Sequence, residues 1–356
     1  MPLYINPDFR RLPSGLTGAF GSGSDRDSFF QLPAWYASVA RYGVPPGSQT
    51  RVYSDESAGS ATAVLLQRPE GRDGRSLVSL TNAHSLEYGV LYEAAANLEA
   101  ALTAIVSEIL AERPHWECLR LSELEPRDPG YGALASALRC AGLLVECSFS
   151  SGTWYEETAG LSFAEYLAAR PSELRNTWRR KHRKLDATDR LTKRFFEDDR
   201  DIDQAIADYG TVCAASWKPA ELFPDFVPAL IRLAAGLRAL RLGIYYLDEI
   251  PAAAQLWIVW GGRAFICKLA HDRRFDALSL GTILTMDMFE RVLGDDRPRE
   301  ISLGRGDDPY KKMWLPKRRE RWGITAANPR TLRGLRLGLK RQAAAIYHRL
   351  RPERVG

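Results

Sequence analysis

The sequence has no apolar run long enough to cross a membrane, and its first residues lack the apolar core of a secretion signal. A membrane-spanning helix needs about 20 consecutive apolar residues, and a signal peptide needs an apolar stretch behind a basic start. We therefore expect no integral membrane segment. The expected location is the cytoplasm, either free or peripheral at the inner face of the membrane.

Cysteine and histidine are scarce, with five of each in the chain. None of the cysteines forms a C-x-x-C pair or stands at zinc-ligand spacing from a histidine. This scarcity excludes a disulfide-stapled scaffold and the common zinc modules. We expect reduced, mostly buried thiols and no metal site.

The remaining composition is that of a folded protein, with 45% hydrophobic and 26% charged residues in 356. This length leaves room for two domains with separate cores. Two stretches show the same order of predicted elements: helices, a small antiparallel meander, then helix–strand alternation. The sequence predicts an α+β fold of two tandem lobes, each a mixed, mostly antiparallel sheet flanked by helices. The predicted N-terminal lobe covers residues 1–155, the C-terminal lobe 156–330, and a basic helix or tail 331–356.

Residues 301–314 concentrate groups that can carry chemistry. A strand ending at Leu303 runs into Gly-Arg-Gly-Asp-Asp-Pro-Tyr-Lys at 304–311. Glycines at a strand end let a ligand approach the backbone closely, and Asp-Pro favours the start of a short helix. Tyr310 and Lys311 would then project from its first turn. A plain capped helix with solvated lysines is the alternative.

Four segments in this order carry a family resemblance: Ile-Pro-Ala-Ala-Ala-Gln at 250–255, Phe-Ile-Cys-Lys-Leu-Ala-His-Asp at 265–272, Ser-Leu-Gly-Thr-Ile-Leu at 279–284, and residues 304–311. Together they resemble the C-terminal half of the GNAT-like acyltransferases of the bacterial cellulose-biosynthesis (CelD/BcsL) type, distant relatives of the FemAB peptidyltransferases. The resemblance implies two GNAT-like lobes with the active site in the second. It implies transfer of an acyl group from an acyl-CoA-type thioester, acetyl-CoA among them. The acceptor would be an amine or hydroxyl in polysaccharide, cell-envelope or natural-product biosynthesis.

In the resembling fold two central parallel strands separate, and the pantetheine arm of the donor lies in the gap. Here the resemblance places those strands at Ala264–His271 and Glu300–Leu303. The donor pyrophosphate would meet backbone N–H groups where the intervening helix begins, because that end of a helix is partially positive. The residues at that position are Ser279, Leu280, Gly281 and Thr282. The family's glycine-rich loop (Gln/Arg-x-x-Gly-x-Gly/Ala) is absent, so Gly281 as a simple turn residue, and a donor other than acetyl-CoA, stay open.

Attack of an amine or hydroxyl on a thioester needs a base, donors for the oxyanion and an acid for the leaving group. Asp272, at the end of a central strand, and Asp308 are the candidate bases, and His271 is a fallback. Tyr310 is the candidate acid. The alternatives are a loop carboxylate for Asp272, a helix cap for Asp308 and packing for Tyr310.

Further side chains are candidates to bind substrate. Lys268 and Gln255 interrupt apolar strands, so each lies either on a solvated face or in a cleft. The resemblance places Trp217 and Lys218, predicted to close a helix, beside the acceptor, and packing is the stronger alternative for Trp217. Arg305 and Lys311 would contact an anionic group.

A basic helix is predicted at Glu173–Leu185, and residues 179–184 within it contain five cations that include Arg179 and Arg180. Such a cluster attracts a tRNA acceptor stem or an anionic lipid, although a solvated helix is the alternative. This feature supports a second hypothesis, a FemAB-like transfer from aminoacyl-tRNA. A non-catalytic binding protein is the third, and the joint presence of Asp308, Tyr310 and Lys311 disfavours it. The leucines among the basic residues of 331–350 predict a helix that packs on the second lobe rather than on a membrane.

Overall fold

The structure is a computed structural model, and it describes residues 12, 16, 28–56, 60–94, 96–188 and 190–350. The side chains of residues 72, 73, 186, 342 and 344–350 are not described, and the end of the predicted tail, 351–356, lies outside the described residues. The helices are α1 (Pro33–Tyr42), α2 (Leu98–Ala111), α3 (Pro129–Cys140), α4 (Phe163–Ala168), α5 (Ser172–Asp186), α6 (Ile202–Ala214), α7 (Phe226–Gly236), α8 (Leu280–Arg291) and α9 (Leu332–Leu350). The strands are β1 (Gln49–Asp55), β2 (Thr62–Arg68), β3 (Ser76–Ser79), β4 (Leu91–Tyr92), β5 (Cys118–Leu124), β6 (Leu144–Glu157), β7 (Leu191–Phe196), β8 (Leu240–Leu247), β9 (Ile250–Trp260), β10 (Arg263–His271), β11 (Glu300–Leu303) and β12 (Lys317–Ala327). Within the described part of the chain, no helix has the length and apolar character needed to span a bilayer.

The chain divides into two compact units, and the predicted α+β class with two lobes is confirmed. The first unit consists mainly of Phe30–Ser151 and the segment that begins at Glu320, and the second mainly of Gly152–Arg319. The division falls inside β6, close to the boundary predicted near residue 155. The segment after Glu320 joins the first unit, whereas the sequence placed residues 320–330 in the second lobe.

The first unit is built on the strand order β1-β2-β3-β5-β12-β6, with β4 beside β2. β3 and β5 are parallel, and the pairings β1–β2, β2–β3 and β5–β12 are antiparallel. Large aromatic side chains fill the core, each below 2% exposed: Trp35, Tyr36, Tyr53, Tyr88 and Trp116. Helix α9 packs here: Gly338 lies against Leu144, and Arg341 pairs with Glu146. This corrects the expectation that the C-terminal helix packs on the second lobe.

The second unit is built on the order β6-β11-β10-β9-β8-β7. Only the β10–β11 pairing is parallel among the described pairings of this unit. β9 is buried from Ala252 to Ile258 on both faces, as expected of a central strand covered on two sides. Helix α8 covers this sheet, and its Phe289 packs edge-to-face on Trp257 with ring centroids 5.0 Å apart.

Local signals explain where several of these elements begin and end. Helix α4 starts at a capping box in which Ser162 and Glu165 satisfy each other's backbone N–H groups. Helix α8 starts at Leu280 because Ser279 has a left-handed backbone, φ +57°. Helix α6 ends at Ala214, short of the predicted end at Trp217, so Trp217 and Lys218 lie in the loop that follows.

Candidate active site

A cavity in the second unit forms where the two parallel strands part. The β10–β11 register runs from Arg263–Glu300 to Phe265–Ser302 and then stops, while β10 continues to His271 on β9 alone. A bulge in β10 between Ile266 and Lys268 turns the strand at the same point. The resulting cavity has a volume of about 460 Å³. Its lining residues are Trp217, Lys218, Gln255, Ile266, Cys267, Lys268, Leu269, Thr285, Leu303, Gly304, Arg305, Asp308, Tyr310, Lys311 and Trp314.

The segment after β11 is held in a conformation that requires glycine. Gly304 and Gly306 have φ of +37° and +111°, values that other residues rarely adopt. The N–H of Gly306 donates to the carbonyl of Gly152 at 3.1 Å. A Cβ on Gly306 would lie 3.3 Å from both Lys311 Nζ and Asp308 Oδ2. The two glycines therefore let the chain fold tightly around Lys311.

Lys311 fixes this loop from inside. Its side chain is buried, and Nζ donates to the carbonyls of Arg305 at 2.8 Å and Gly306 at 3.1 Å. Asp308 Oδ2 lies 3.3 Å from the same ammonium. Burial lowers the pKa of Lys311, and Asp308 opposes that shift. Lys311, predicted to contact an anionic group, thus lies at the cavity wall. Its ammonium group already holds the loop and orients Asp308.

Asp308 and Tyr310 stand at the edge of the cavity, both partly open to solvent. Asp308 occupies the N-cap position of the short 3₁₀ helix Pro309–Met313, but its side chain makes no capping hydrogen bond. Tyr310 is 49% exposed. Burial of its remaining surface, and secondarily the Asp308 carboxylate, raises the pKa of Tyr310. The phenol therefore keeps its proton at neutral pH, beside the one carboxylate among the described lining residues.

Gln255 lines the cavity with a side chain fixed by hydrogen bonding. Its side chain is buried, and Nε2 donates to Thr285 Oγ1 at 2.9 Å. Thr285 Oγ1 in turn donates to the carbonyl of Gly281 at 2.7 Å. A carbonyl only accepts, so the single hydroxyl proton of Thr285 is committed and the hydroxyl must accept from the amide NH₂ of Gln255. This network assigns the amide orientation, and it leaves Gln255 Oε1 buried without a hydrogen-bond partner among the described residues.

The other charged lining residues are cations: Lys218, Lys268 and Arg305. Lys268 pairs with Glu221 at 2.5 Å. Lys218 has no carboxylate within ion-pair distance among the described side chains, and its ammonium lies 5.8 Å from the ring centroid of Trp217. Burial first, and then the charge of Lys268, lowers the pKa of Lys218. Trp217 is half exposed and contacts His271 with ring centroids 4.6 Å apart.

The other predicted site residues lie outside the cavity lining. Asp272 is buried, and its two oxygens accept from the backbone N–H of Arg274 at 2.8 Å and from its guanidinium at 2.5–2.8 Å. The Arg274 hydrogen bonds lower the pKa of Asp272, which makes it a weak base. Arg179 and Arg180 lie exposed on α5.

In the predicted pyrophosphate site at residues 279–282, some of the backbone N–H groups already make hydrogen bonds within the protein. The backbone N–H of Ser279 donates to the backbone carbonyl of Asp276 at 3.1 Å, and that of Thr282 donates to the backbone carbonyl of Ser279 at 3.0 Å. A Cβ on Gly281 would meet His271 Nδ1 at 3.2 Å, so this glycine makes room for an imidazole. Leu280 and Gly281 are both buried. The four residues fit a pyrophosphate only in part.

Two lining residues, Thr285 and Cys267, are not singled out by the sequence patterns. Thr285 stands four positions after Gly281, on the same face of α8, and that spacing is the signal that could have found it. Burial raises the pKa of Cys267 to about 12, so the thiol stays protonated and is a poor nucleophile.

Residues 172–312 match the protein family described as an acetyltransferase (GNAT) domain. No curated protein matches the chain. Among solved structures, FemX aligns with a TM-score of 0.58 at 9% identity, covering 91% of this chain and 97% of FemX. A conserved protein of unknown function from Bacteroides thetaiotaomicron VPI-5482 aligns with a TM-score of 0.56 at 11% identity, covering 92% and 100%. The C-terminal domain of a candidate lysylphosphatidylglycerol synthetase from Agrobacterium fabrum aligns with a TM-score of 0.53 at 14% identity, covering 85% and 90%.

The family match spans the second unit from α5 to the loop that carries Asp308 and Tyr310. It supports a transferase with a GNAT-like acetyltransferase domain. The structural likeness, at this identity, shows a fold shared with FemX. The CelD/BcsL assignment stays a prediction.

Proposed function

We propose that the second unit transfers an acyl group from an acyl-CoA-type thioester to an amine or hydroxyl acceptor. The observation that carries the proposal is the cavity at the parting of β10 and β11, with Asp308 and Tyr310 at its edge. A gap between parallel strands can take an extended donor arm. The matched GNAT domain spans this gap.

Asp308 is the proposed base and Tyr310 the proposed acid. The acceptor nitrogen or oxygen attacks the thioester carbonyl carbon while Asp308 takes the acceptor's proton. The carbon–sulfur bond then breaks, and Tyr310 gives its proton to the departing thiolate. Lys311 holds the loop so that both groups face the reacting atoms. Asp272 is a poorer candidate because Arg274 occupies its carboxylate.

Release of free thiol from acetyl-CoA and longer acyl-CoAs, measured with a panel of amines and sugars, tests the chemistry. Asp308→Asn and Tyr310→Phe should each lower turnover about 100- to 10,000-fold, with unchanged circular dichroism and donor binding. Asp272→Asn is the matched carboxylate control and should keep turnover. If Asp272→Asn loses as much turnover as Asp308→Asn, the assignment of the base is wrong.

A specific observation favours a second candidate donor, aminoacyl-tRNA. Helix α5 exposes a row of cations that includes Arg179 and Arg180, and the predicted pyrophosphate site at 279–282 is partly engaged. FemX shares the fold, and a second neighbour is described as a candidate for lysylphosphatidylglycerol synthesis, which makes an anionic lipid a candidate acceptor at the same helix. The acceptor and pathway are proposed only as classes: polysaccharide, cell envelope or natural product.

Binding distinguishes the donors. Added CoA should raise the melting temperature of the protein through mass action, because CoA binds only the folded state. The Arg179→Gln/Arg180→Gln variant should bind deacylated tRNA more weakly than wild type does, and its binding should depend less steeply on salt. Arg232→Gln, which replaces an exposed arginine paired with Asp203, is the control. Binding of tRNA without any response to CoA would replace the first donor with the second.

A further inference from the structure

A second cavity, of about 600 Å³, lies in the first unit. Four arginines line it: Arg51, Arg68, Arg75 and Arg113. Among the described lining residues, Glu70 is the one carboxylate. This cavity involves none of the residues proposed for acyl transfer.

Two of the arginines are buried around a single acid. Arg51 is 5% exposed and Arg68 8% exposed. Both guanidinium groups bind the same oxygen of Glu112, at 2.9 Å and 3.2 Å. The other oxygen of Glu112 accepts from the hydroxyl of Tyr53. Burial and the Glu112 charge raise the pKa of Tyr53, so this hydroxyl stays neutral and adds no negative charge.

Two buried guanidinium groups therefore share the carboxylate of Glu112, and their other nitrogens donate to Gln49 Oε1 and to the backbone carbonyls of Thr50, Gly74 and Pro114. Their hydrogen bonds are satisfied, but the group of three side chains keeps a net positive charge, which is costly away from water and which an anion in the cavity would offset. The arrangement inside the cavity wall thus points to an anionic ligand.

The outer two arginines offer the donors that such a ligand needs. Arg75 uses Nη1 on Glu117 at 2.9 Å. Arg113 uses Nη1 on the carbonyls of Ala111 at 3.0 Å and Glu112 at 3.3 Å. The Nε and Nη2 groups of both side chains make no hydrogen bond to any described residue. Such planar forks match the oxygens of phosphate and carboxylate groups.

We propose that this cavity binds a phosphate-type oxyanion, a phosphate or pyrophosphate group that is either free or part of a nucleotide. The tetrahedral group lies between Arg75 and Arg113, with the buried pair behind it. The site is separate from the acyl-transfer cavity and does not depend on the proposed function.

Calorimetric titration with inorganic pyrophosphate, compared with sodium chloride at equal ionic strength, tests the proposal. Arg113→Gln removes the guanidinium and its charge but keeps a polar side chain, and we expect it to weaken pyrophosphate binding about 10- to 100-fold. Arg232→Gln, exposed and remote in sequence, is the matched control. Lys218→Met tests for binding at the cationic cavity of the second unit. Both controls should bind pyrophosphate as wild type does.

Failure of pyrophosphate to bind beyond the chloride background would overturn the proposal. Equal weakening by Arg113→Gln and Arg232→Gln would show only general attraction of the anion to positive charge, and would overturn a specific site. Loss of binding in Lys218→Met would place the anion in the cavity of the second unit instead. A parallel titration with ADP separates the two sources: tighter binding than pyrophosphate supports a nucleotide, and equal binding supports the anion itself.

Discussion

The unpartnered oxygen of Gln255 leads to a prediction that needs no knowledge of the substrate. Replacing Gln255 with leucine removes the buried Oε1 and leaves the Thr285 hydroxyl bonded to Gly281. A buried acceptor without a partner costs about 1–3 kcal/mol, whereas replacing polar groups by apolar ones of similar shape is nearly neutral. We therefore expect Gln255→Leu to leave the free energy of unfolding unchanged or to raise it, while donor or acceptor binding weakens.

The partner substitution should have the opposite effect. Thr285→Val keeps the shape of the side chain and deletes the hydroxyl, so Gln255 Nε2 loses its acceptor and both polar atoms of the amide are then without partners. The free energy of unfolding should fall by about 1–3 kcal/mol. In the double variant the stranded amide is gone, and much of that loss should be recovered.

Equilibrium urea unfolding of the four proteins measures this coupling as a double-mutant cycle. Thr285→Ser, which keeps the hydroxyl and loses one methyl group, is the control and should cost only about 1 kcal/mol. If Gln255→Leu is as destabilising as Thr285→Val, then Oε1 is already satisfied in the folded protein. The cavity would then offer no acceptor, and the reasoning would fail.

Three other substitutions test the site and its surroundings. Gly306→Ala forces a side chain into a left-handed backbone against Lys311 and should lower the free energy of unfolding by about 1–3 kcal/mol, measured by thermal unfolding. The control Gly210→Ala, in helix α6 with open space around it, should raise that free energy by up to about 1 kcal/mol. Equal effects of the two substitutions would contradict the strain at Gly306. Because the folded pKa of Asp272 is lowered, the stabilisation from its carboxylate is present above the ordinary aspartate pKa and is lost as the pH falls through the folded value. Asp272→Asn should therefore lower the melting temperature at pH 7 and make the fall of the melting temperature in acid less steep. An unchanged dependence of the melting temperature on acid pH would contradict this. The folded pKa of Lys311 is also lowered, so the unfolded chain binds more protons than the folded chain between that value and about 10.4. The free energy of unfolding of wild type relative to Lys311→Met should therefore rise with pH in this window. A fall would show that the pKa of Lys311 is not lowered in the folded protein.

Periodicity and turn residues predicted much of the second unit. The strand at Glu300–Leu303 has the predicted bounds, and β10 and α8 begin within three residues of their predicted starts. These elements carry strong local signals: apolar alternation, and glycine or serine at their ends. The end of α6 was harder to predict because Ala215 and Ser216 tolerate a helix, and tertiary contacts decide where such a segment stops.

The site was predictable as a set of segments but not as a set of contacts. Lys311 has the sequence context of a solvated lysine, yet it is buried because two carbonyls of its own loop turn toward it. Asp272 stands where a base would stand, but the arginine two residues later occupies its carboxylate. Thr285 has no feature of its own, and only its contacts with Gln255 and Gly281 give it a role. Each outcome depends on side-chain directions that a pattern of residue types does not contain.

The charge of the cavity bears on which donor it takes. Its described lining carries four cations, Lys218, Lys268, Arg305 and Lys311, against the single carboxylate Asp308, and Glu221, which is not a lining residue, pairs with Lys268. An aminoacyl group brings an ammonium ion next to its reacting carbonyl, and like charges in a partly desolvated cavity repel strongly. A neutral acyl thioester brings no such charge. We therefore propose acyl-CoA ahead of aminoacyl-tRNA as the donor, although the basic surface of α5 points the other way. The electrostatics next to the reacting atoms weigh more, because screening by salt is weaker there than on an exposed helix.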